Sequence, residues 1–288
     1  MSIATNCMTA NISIGAWSGQ RLDKGASARL TKDAGADADA ARVNKHLVPK
    51  DSLKDIGTCA GQMRTLFNTC TLPWKDNGDR LLTRKMYPAF ISRFEEVKAE
   101  FRRAVDTFVD VTYPSDVARA EFRMGDLFNP SDFPAASDLR RRFYVTLDIG
   151  AITEAGDFRV ALDQDQADRI RARIESENTD RISRAMGDVW TRLNDTLTHF
   201  AETMKDEKKI FRDSTIHNLA EIVELIPALN IMNDAHLVAV YKDLKSTLIG
   251  LSPKDLRKDP DVRSAAADEA QRIVDSMAGF MQAFQPRD

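Results

Sequence analysis

Cysteine is scarce in this 288-residue chain, which contains only Cys7, Cys59 and Cys70. No two of them stand at C-x-x-C spacing, so neither a disulfide framework nor a zinc module built on paired cysteines is expected. Long apolar runs are absent too, since no stretch reaches the roughly 20 apolar residues that a membrane-spanning helix needs. The N-terminal residues lack the basic start and apolar core of a secretory signal. These absences predict a cytoplasmic protein that does not span a membrane.

The motifs of several common enzyme classes are also missing. The sequence contains no G-x-x-x-x-G-K-[ST] or G-x-G-x-x-G loop, no G-x-S-x-G elbow and no H-E-x-x-H pair. Asp163 and Asp165 form a D-x-D pair at a predicted helix start, where carboxylates stabilise the N-terminus without a metal. We therefore predict that the protein is not an enzyme and needs no metal and no cofactor. A metal-dependent enzyme is the least favoured alternative.

The charges of the chain nearly balance, with 41 Lys and Arg against 44 Asp and Glu and a net charge of −3. Hydrophobic residues make up 43% of the chain and charged residues 30%, as in an ordinary globular protein and unlike a disordered one. Composition by itself therefore points to neither a nucleic acid nor a membrane as partner.

Alternating apolar residues predict two small β-hairpins. Residues 11–17 have the period of a half-buried strand, and a second strand near Ala28–Lys32 would pair with it. Residues 143–149 alternate in the same way, and 158–162 would form the return strand after a turn. One hairpin is thus expected at the N-terminus and one at the middle of the chain.

Helical periodicity dominates the rest of the chain. It predicts a helix over 88–112, in which Phe94, Phe101 and Phe108 stand one heptad apart and form an aromatic ridge. Asp163 and Gln166 resemble a capping box. After it, either one helix of about 40 residues or two helices broken near Asn178-Thr179 would be about 60 Å long. A helix of that length is expected to pack against another long helix, in the same chain or in a partner chain.

Together these patterns predict a mainly α fold with a minor β component. Its long helices would pack as a bundle or an antiparallel coiled coil, with two small β-hairpins beside them. Residues 1–162 would form a mixed α/β lobe and residues 163–288 a helical lobe.

The best candidate for a binding surface is the loop-like segment 72–88, together with the arginine run before the central strand. It combines aromatic and basic side chains: Trp74, Lys75, Arg80, Arg84, Lys85, Arg140, Arg141 and Arg142. Cations that contact phosphates and rings that stack on bases are typical of single-strand binding. The alternative is structural, with Trp74 in the core beneath the loop and the arginines paired with neighbouring acidic residues.

At these same residues the chain resembles a known family. The carrying segments are SIGAWSGQRLDK, TLPWKDNGDRLL, YPAFISRFEEVKAEFRRAVDTFV, LFNPSDFP, GDFRV, AMGDVWTRL and IFRDSTIHNLAEIVELIPALN. They are similar to uncharacterised phage and prophage proteins grouped as domain of unknown function 3150. This resemblance implies a phage-encoded or prophage-encoded protein that acts in the cytoplasm of a bacterial host. It supplies no catalytic residues.

The sequence therefore predicts a non-enzymatic, self-associating phage accessory protein that binds DNA, single-stranded DNA in particular, in replication or recombination. The binding residues would be those of segment 72–88 and of the arginine run. The alternative is an adaptor that binds another phage or host protein through the aromatic ridge.

Overall fold

The computed structural model describes residues 2–160, 162–206 and 210–281, and these residues form a mainly α-helical fold with a minor β component, as predicted. The helices are α1 (Ile3–Asn6), α2 (Lys24–Asp33), α3 (Lys54–Cys70), α4 (Tyr87–Thr107), α5 (Tyr113–Met124), α6 (Ala136–Arg140), α7 (Gln164–Lys205), α8 (Asp213–Leu229), α9 (Ala235–Thr247), α10 (Pro253–Lys258) and α11 (Pro260–Met281). The strands are β1 (Cys7–Gly15), β2 (Gln20–Leu22), β3 (Asn44–His46), β4 (Leu72–Pro73), β5 (Arg80–Thr83) and β6 (Tyr144–Gly150).

Two sheets are present among the described residues. The larger has the strand order β4-β5-β1-β6, and β1 runs antiparallel to β5 with Cys7 opposite Thr83 and Ala10 opposite Arg80. The smaller is the antiparallel pair of β2 and β3. The pairing of β1 with β5 joins residues far apart in the chain.

Both predicted hairpins are wrong. Residues 28–32 lie in α2, because Asp23 caps that helix by accepting a hydrogen bond from the Ala26 amide at 2.8 Å. The central strand exists as β6, but residues 158–160 and 162 do not form the return strand, and Ala161 lies outside the described residues. A reciprocal capping box between Glu154 and Asp157 closes a 3₁₀ turn there instead.

The chain divides into two compact units, each built from separate segments. The first unit contains the described residues of 1–11, 68–89 and 148–288, and the second contains 12–67 and 90–147. This division differs from the expected boundary between residues 162 and 163, because segments from both halves of the chain belong to the first unit.

The aromatic ridge forms the core of the second unit. Phe94, Phe101 and Phe108 are all buried, and Phe108 contacts Trp17 and Tyr113 with ring centroids 6.2 and 5.8 Å away. A π-helical turn over Phe108–Thr112 joins α4 directly to α5. The predicted helix therefore does not end at residue 112. Pro114 lies in the first turn of α5, where a residue without a backbone N–H is tolerated.

A helical bundle forms most of the first unit. Helix α7 is unbroken over 42 residues, which is the first of the two predicted alternatives, and it packs along α11 and against α8. Its buried stripe includes Val189, Trp190 and Leu193, and α11 presents the small Ala266 and Ala270 that allow close approach. The partner of the long helix thus lies in the same chain. The Asp163 side chain makes no capping hydrogen bond, so the predicted capping box there is wrong.

Candidate anion-binding pocket

Trp74 lies in the connection between β4 and β5, and its side chain is only 3% exposed. The guanidinium carbon of Arg181 lies 5.8 Å from its ring centroid. The prediction that Trp74 offers a face to a nucleic-acid base is therefore wrong, because stacking needs an accessible ring. Lys75 is exposed, and its ammonium lies 3.6 Å from the carboxylate of Asp79.

Arg80, at the start of β5, binds the backbone at the end of α3. Its Nε donates to the hydroxyl of Thr71 at 2.7 Å, and its Nη2 donates to the Thr71 carbonyl oxygen at 3.0 Å. Burial, and then the nearby positive charge of Arg192, lowers the pKa of Arg80. A cation at a helix C-terminus is favourable, so this position accounts for Arg80 without a nucleic-acid ligand.

Arg84 and Lys85 line one pocket of about 230 Å³ in the first unit. Arg84 follows β5 and is held by a hydrogen bond from its amide to the Asn6 carbonyl oxygen at 2.7 Å. The other lining residues come from the N-terminus and from the chain around the end of α8: Asn6, Cys7, Thr83, Ala228, Asn230, Ile231 and Asn233.

The pocket is positively charged. Two cations line it and, among the described residues, no carboxylate does. The ammonium of Lys85 donates to the Pro227 carbonyl oxygen at 3.2 Å, near the C-terminus of α8. The guanidinium of Arg84 is exposed and has no hydrogen-bond or ion-pair partner in the described part of the chain. Arg84 is therefore available to a ligand.

The turn after α8 lines the same pocket. Asn233 has a φ of +52°, and asparagine is among the few residues that tolerate this left-handed conformation. Asn230 fixes the turn, because its side chain accepts from the Asp234 amide at 2.8 Å and donates to the Asp234 carbonyl oxygen at 3.0 Å. Backbone conformations of this kind cluster at ligand sites.

Cys7 lies at the same pocket and is buried. Burial raises the pKa of its thiol to about 12. The thiol is therefore protonated at neutral pH and contributes no negative charge that would oppose an anion. A protonated thiol is also a poor nucleophile.

Sequence reasoning found the two cations of this pocket but missed its three asparagines, Asn6, Asn230 and Asn233. The one available signal is the position of Asn233 directly before Asp234, the residue that caps α9. An uncharged amide becomes a candidate ligand-binding group only when the fold places it beside a cation.

The arginine run Arg140–Arg142 belongs to the second unit, whereas the predicted site residues from Trp74 to Lys85 belong to the first. Arg140 forms ion pairs with Asp106 and Asp110 of the preceding helix and turn. Arg141 pairs with Asp138. Arg142 is exposed and forms no ion pair with any residue that the structure describes. The structural alternative thus describes Arg140 and Arg141 better than the binding hypothesis does.

Three further predictions can be compared with the structure. The aromatic ridge is buried, so the prediction that a partner protein docks on it is wrong for the folded chain. Over the described residues, no group of three or more His, Cys, Asp or Glu side chains gathers at spacing suitable for a metal ion. In the same part of the chain, no helix combines the length and the apolar character needed to cross a membrane.

Comparison with known proteins found no match among family models, curated proteins or solved structures. The resemblance to the phage family therefore stays a prediction.

Proposed function

We propose that the protein is a non-enzymatic accessory protein that binds the sugar-phosphate backbone of DNA through Arg84 and Lys85. The observation that supports this is the pocket in which these two cations and three asparagines meet without a lining carboxylate. A guanidinium binds phosphate through two parallel hydrogen bonds, and a lysine adds a point charge. The resemblance to phage proteins supports a role in phage replication or recombination in a bacterial cytoplasm.

The size of the pocket limits which part of a nucleic acid it can hold. Its volume of about 230 Å³ is below the roughly 300–1,000 Å³ typical of small-molecule sites, so it suits a phosphate group and not a whole nucleotide. Because Trp74 is buried, it provides no stacking contact that would favour single strands. The proposed contact is therefore common to single-stranded and duplex DNA, and weak at each pocket.

Fluorescence anisotropy of labelled single-stranded and duplex DNA, titrated at several salt concentrations, tests this proposal. We expect a dissociation constant of about 10⁻⁴ to 10⁻⁶ M at physiological salt, as in non-specific binding. Two phosphate contacts predict that log K falls against log salt with a slope of about −1.4 on single strands. The double variant Arg84→Ala/Lys85→Ala should bind about tenfold more weakly at low salt and lose this slope.

Arg169→Ala is the matched control, because Arg169 is an exposed cation on α7 that does not line the pocket. It should bind DNA like the natural protein. If the double variant also binds like the natural protein, the pocket is not the contact. If the natural protein gives flat titrations at low salt, it does not bind DNA. Circular dichroism of each variant checks that the helices are intact.

Self-association is the second part of the proposal, since several copies along one strand would multiply the effect of a weak contact. The apolar stripe of α7 does not require it, because α11 and α8 already cover that stripe. Light scattering coupled to gel filtration measures the mass directly. We expect a mass of at least twice the 32.2 kDa of one chain, and 32.2 kDa at every concentration would contradict self-association.

A further inference from the structure

Helix α2 is exposed along most of its length. Of its ten residues only Thr31 is buried. Local hydrogen bonds hold the helix instead: Asp23 caps it, and the hydroxyl of Ser27 donates to the Asp23 carbonyl oxygen and accepts from the Val43 amide. A helix of this length normally gains its stability by burying an apolar face. Helix α2 therefore lacks the packing that usually accompanies a helix.

A groove of about 550 Å³ lies between α2 and the chain that follows it, within the second unit. Its apolar lining comes from small side chains and one exposed leucine: Leu22, Ala28, Ala36, Ala38 and Ala41. Alanines let a second backbone approach closely, and the leucine, 40% exposed, offers an apolar contact. The groove therefore has a lining that a row of apolar side chains from another segment could contact.

The charged lining of the groove has one sign. Lys24, Lys32 and Arg42 line it, and no carboxylate does among the described residues. None of the three cations forms a salt bridge with any residue that the structure describes. Asp33, Asp37 and Asp39 belong to the same stretch of chain, but they do not line the groove. The groove thus pairs an apolar floor with three cations that form no salt bridge within the described part of the chain.

We propose that this groove binds an acidic amphipathic segment of a partner protein, with apolar side chains on the alanine floor and carboxylates against Lys24, Lys32 and Arg42. Charge complementarity selects the acidic partner, and the apolar floor selects a peptide over a bare polyanion, which would leave that floor exposed. This site lies in the second unit and does not depend on DNA binding at Arg84 and Lys85.

A fluorescein-labelled peptide about 14 residues long, with leucine at helical spacing and glutamate elsewhere, is a suitable probe. Anisotropy should show saturable binding that weakens as salt rises. A peptide with lysine in place of glutamate should not bind. Lys24→Glu/Lys32→Glu should weaken binding of the acidic peptide about tenfold, because two attractions become repulsions. Ala28→Trp should weaken it by filling the groove.

Arg29→Glu is the matched control, since Arg29 is an exposed cation on the same helix that does not line the groove. It makes the same charge change and should leave the affinity within about twofold of the natural value. Absence of binding by the acidic peptide, or equal losses in the Arg29 and Lys24/Lys32 variants, would overturn the proposal. The proposal would also be overturned if Ala28→Trp lost DNA binding or self-association while its peptide binding stayed unchanged.

Discussion

Arg80 and Arg192 donate to the same acceptor, the backbone carbonyl oxygen of Thr71, each at 3.0 Å. Arg192 also donates to the Thr69 carbonyl oxygen at 3.2 Å and forms an ion pair with Asp188 at 2.6 Å. These carbonyls lie at the C-terminus of α3, where the helix leaves its last acceptors without intrahelical donors. Two guanidiniums from distant parts of the chain therefore complete one helix end.

Removing either guanidinium should destabilise the fold. We expect Arg80→Ala and Arg192→Ala each to lower the free energy of unfolding by about 1–2 kcal/mol, because each removes charged donors from the backbone carbonyls at the end of α3. The double variant should cost more than the sum, since only it removes both guanidinium donors from the shared acceptor, and since each single variant relieves the repulsion between the two cations. Urea unfolding measures both effects. Unchanged midpoints in both single variants would contradict this role.

Asp234 should stabilise two elements at once. One carboxylate oxygen caps α9 by accepting from the His236 amide at 2.9 Å, and the other accepts from the indole Nε1 of the fully buried Trp190 at 3.2 Å. Asp234→Ala should cost about 2–3 kcal/mol, since it removes a cap and leaves a buried N–H without an acceptor. Asp234→Ser keeps a capping oxygen but does not reach the indole, so its cost in urea unfolding should be smaller. Equal costs for the two variants would contradict the shared role.

Features that depend on nearby residues could be predicted from the sequence, whereas features that depend on distant residues could not. Asp234 and Ser252 cap α9 and α10, and caps of this kind can be predicted from the sequence because a cap depends on residues within one turn. The length of α7 was predicted from its periodicity. The pairing of β1 with β5 was not, because register between distant strands depends on the packing of the whole unit.

The candidate pocket, too, could be predicted from the sequence only in part. Charge drew attention to Arg84 and Lys85, and both line the pocket. Trp74 has the same sequence signal as an exposed aromatic residue, and only tertiary packing shows that it is buried. Asn233 carries no charge and no periodic signal, so its left-handed backbone could not be read from one sequence.

Alkaline pH should destabilise the protein through its buried thiols. Burial raises the pKa of Cys7 to about 12 and that of Cys70 to about 11, from an ordinary value of 9.0. The unfolded chain therefore loses these protons at lower pH than the folded chain. Stability is complete below pH 9 and falls as pH rises toward the folded values. Each thiol should contribute a slope of about 1.4 kcal/mol per pH unit.

Urea unfolding between pH 8 and pH 11 measures this slope, with Cys7→Ser as the comparison. Serine does not titrate in this range, so the variant should show a shallower fall at high pH even if its stability at pH 8 is lower. Parallel profiles for the two proteins would contradict a buried thiol at Cys7.

The two groups of predicted DNA-binding cations should behave differently when they are changed separately. Arg140 and Arg141 form ion pairs with carboxylates, which place negative charge beside any approaching phosphate. In contrast, no carboxylate of the described residues lines the pocket that holds Arg84 and Lys85. Arg140→Ala/Arg141→Ala should therefore keep DNA affinity within about twofold of the natural protein, whereas Arg84→Ala/Lys85→Ala should not. Anisotropy titrations of both variants on one DNA, at one low salt concentration, give the comparison. The reverse ranking would place the DNA contact in the second unit and would leave the pocket of the first unit without a nucleic-acid role.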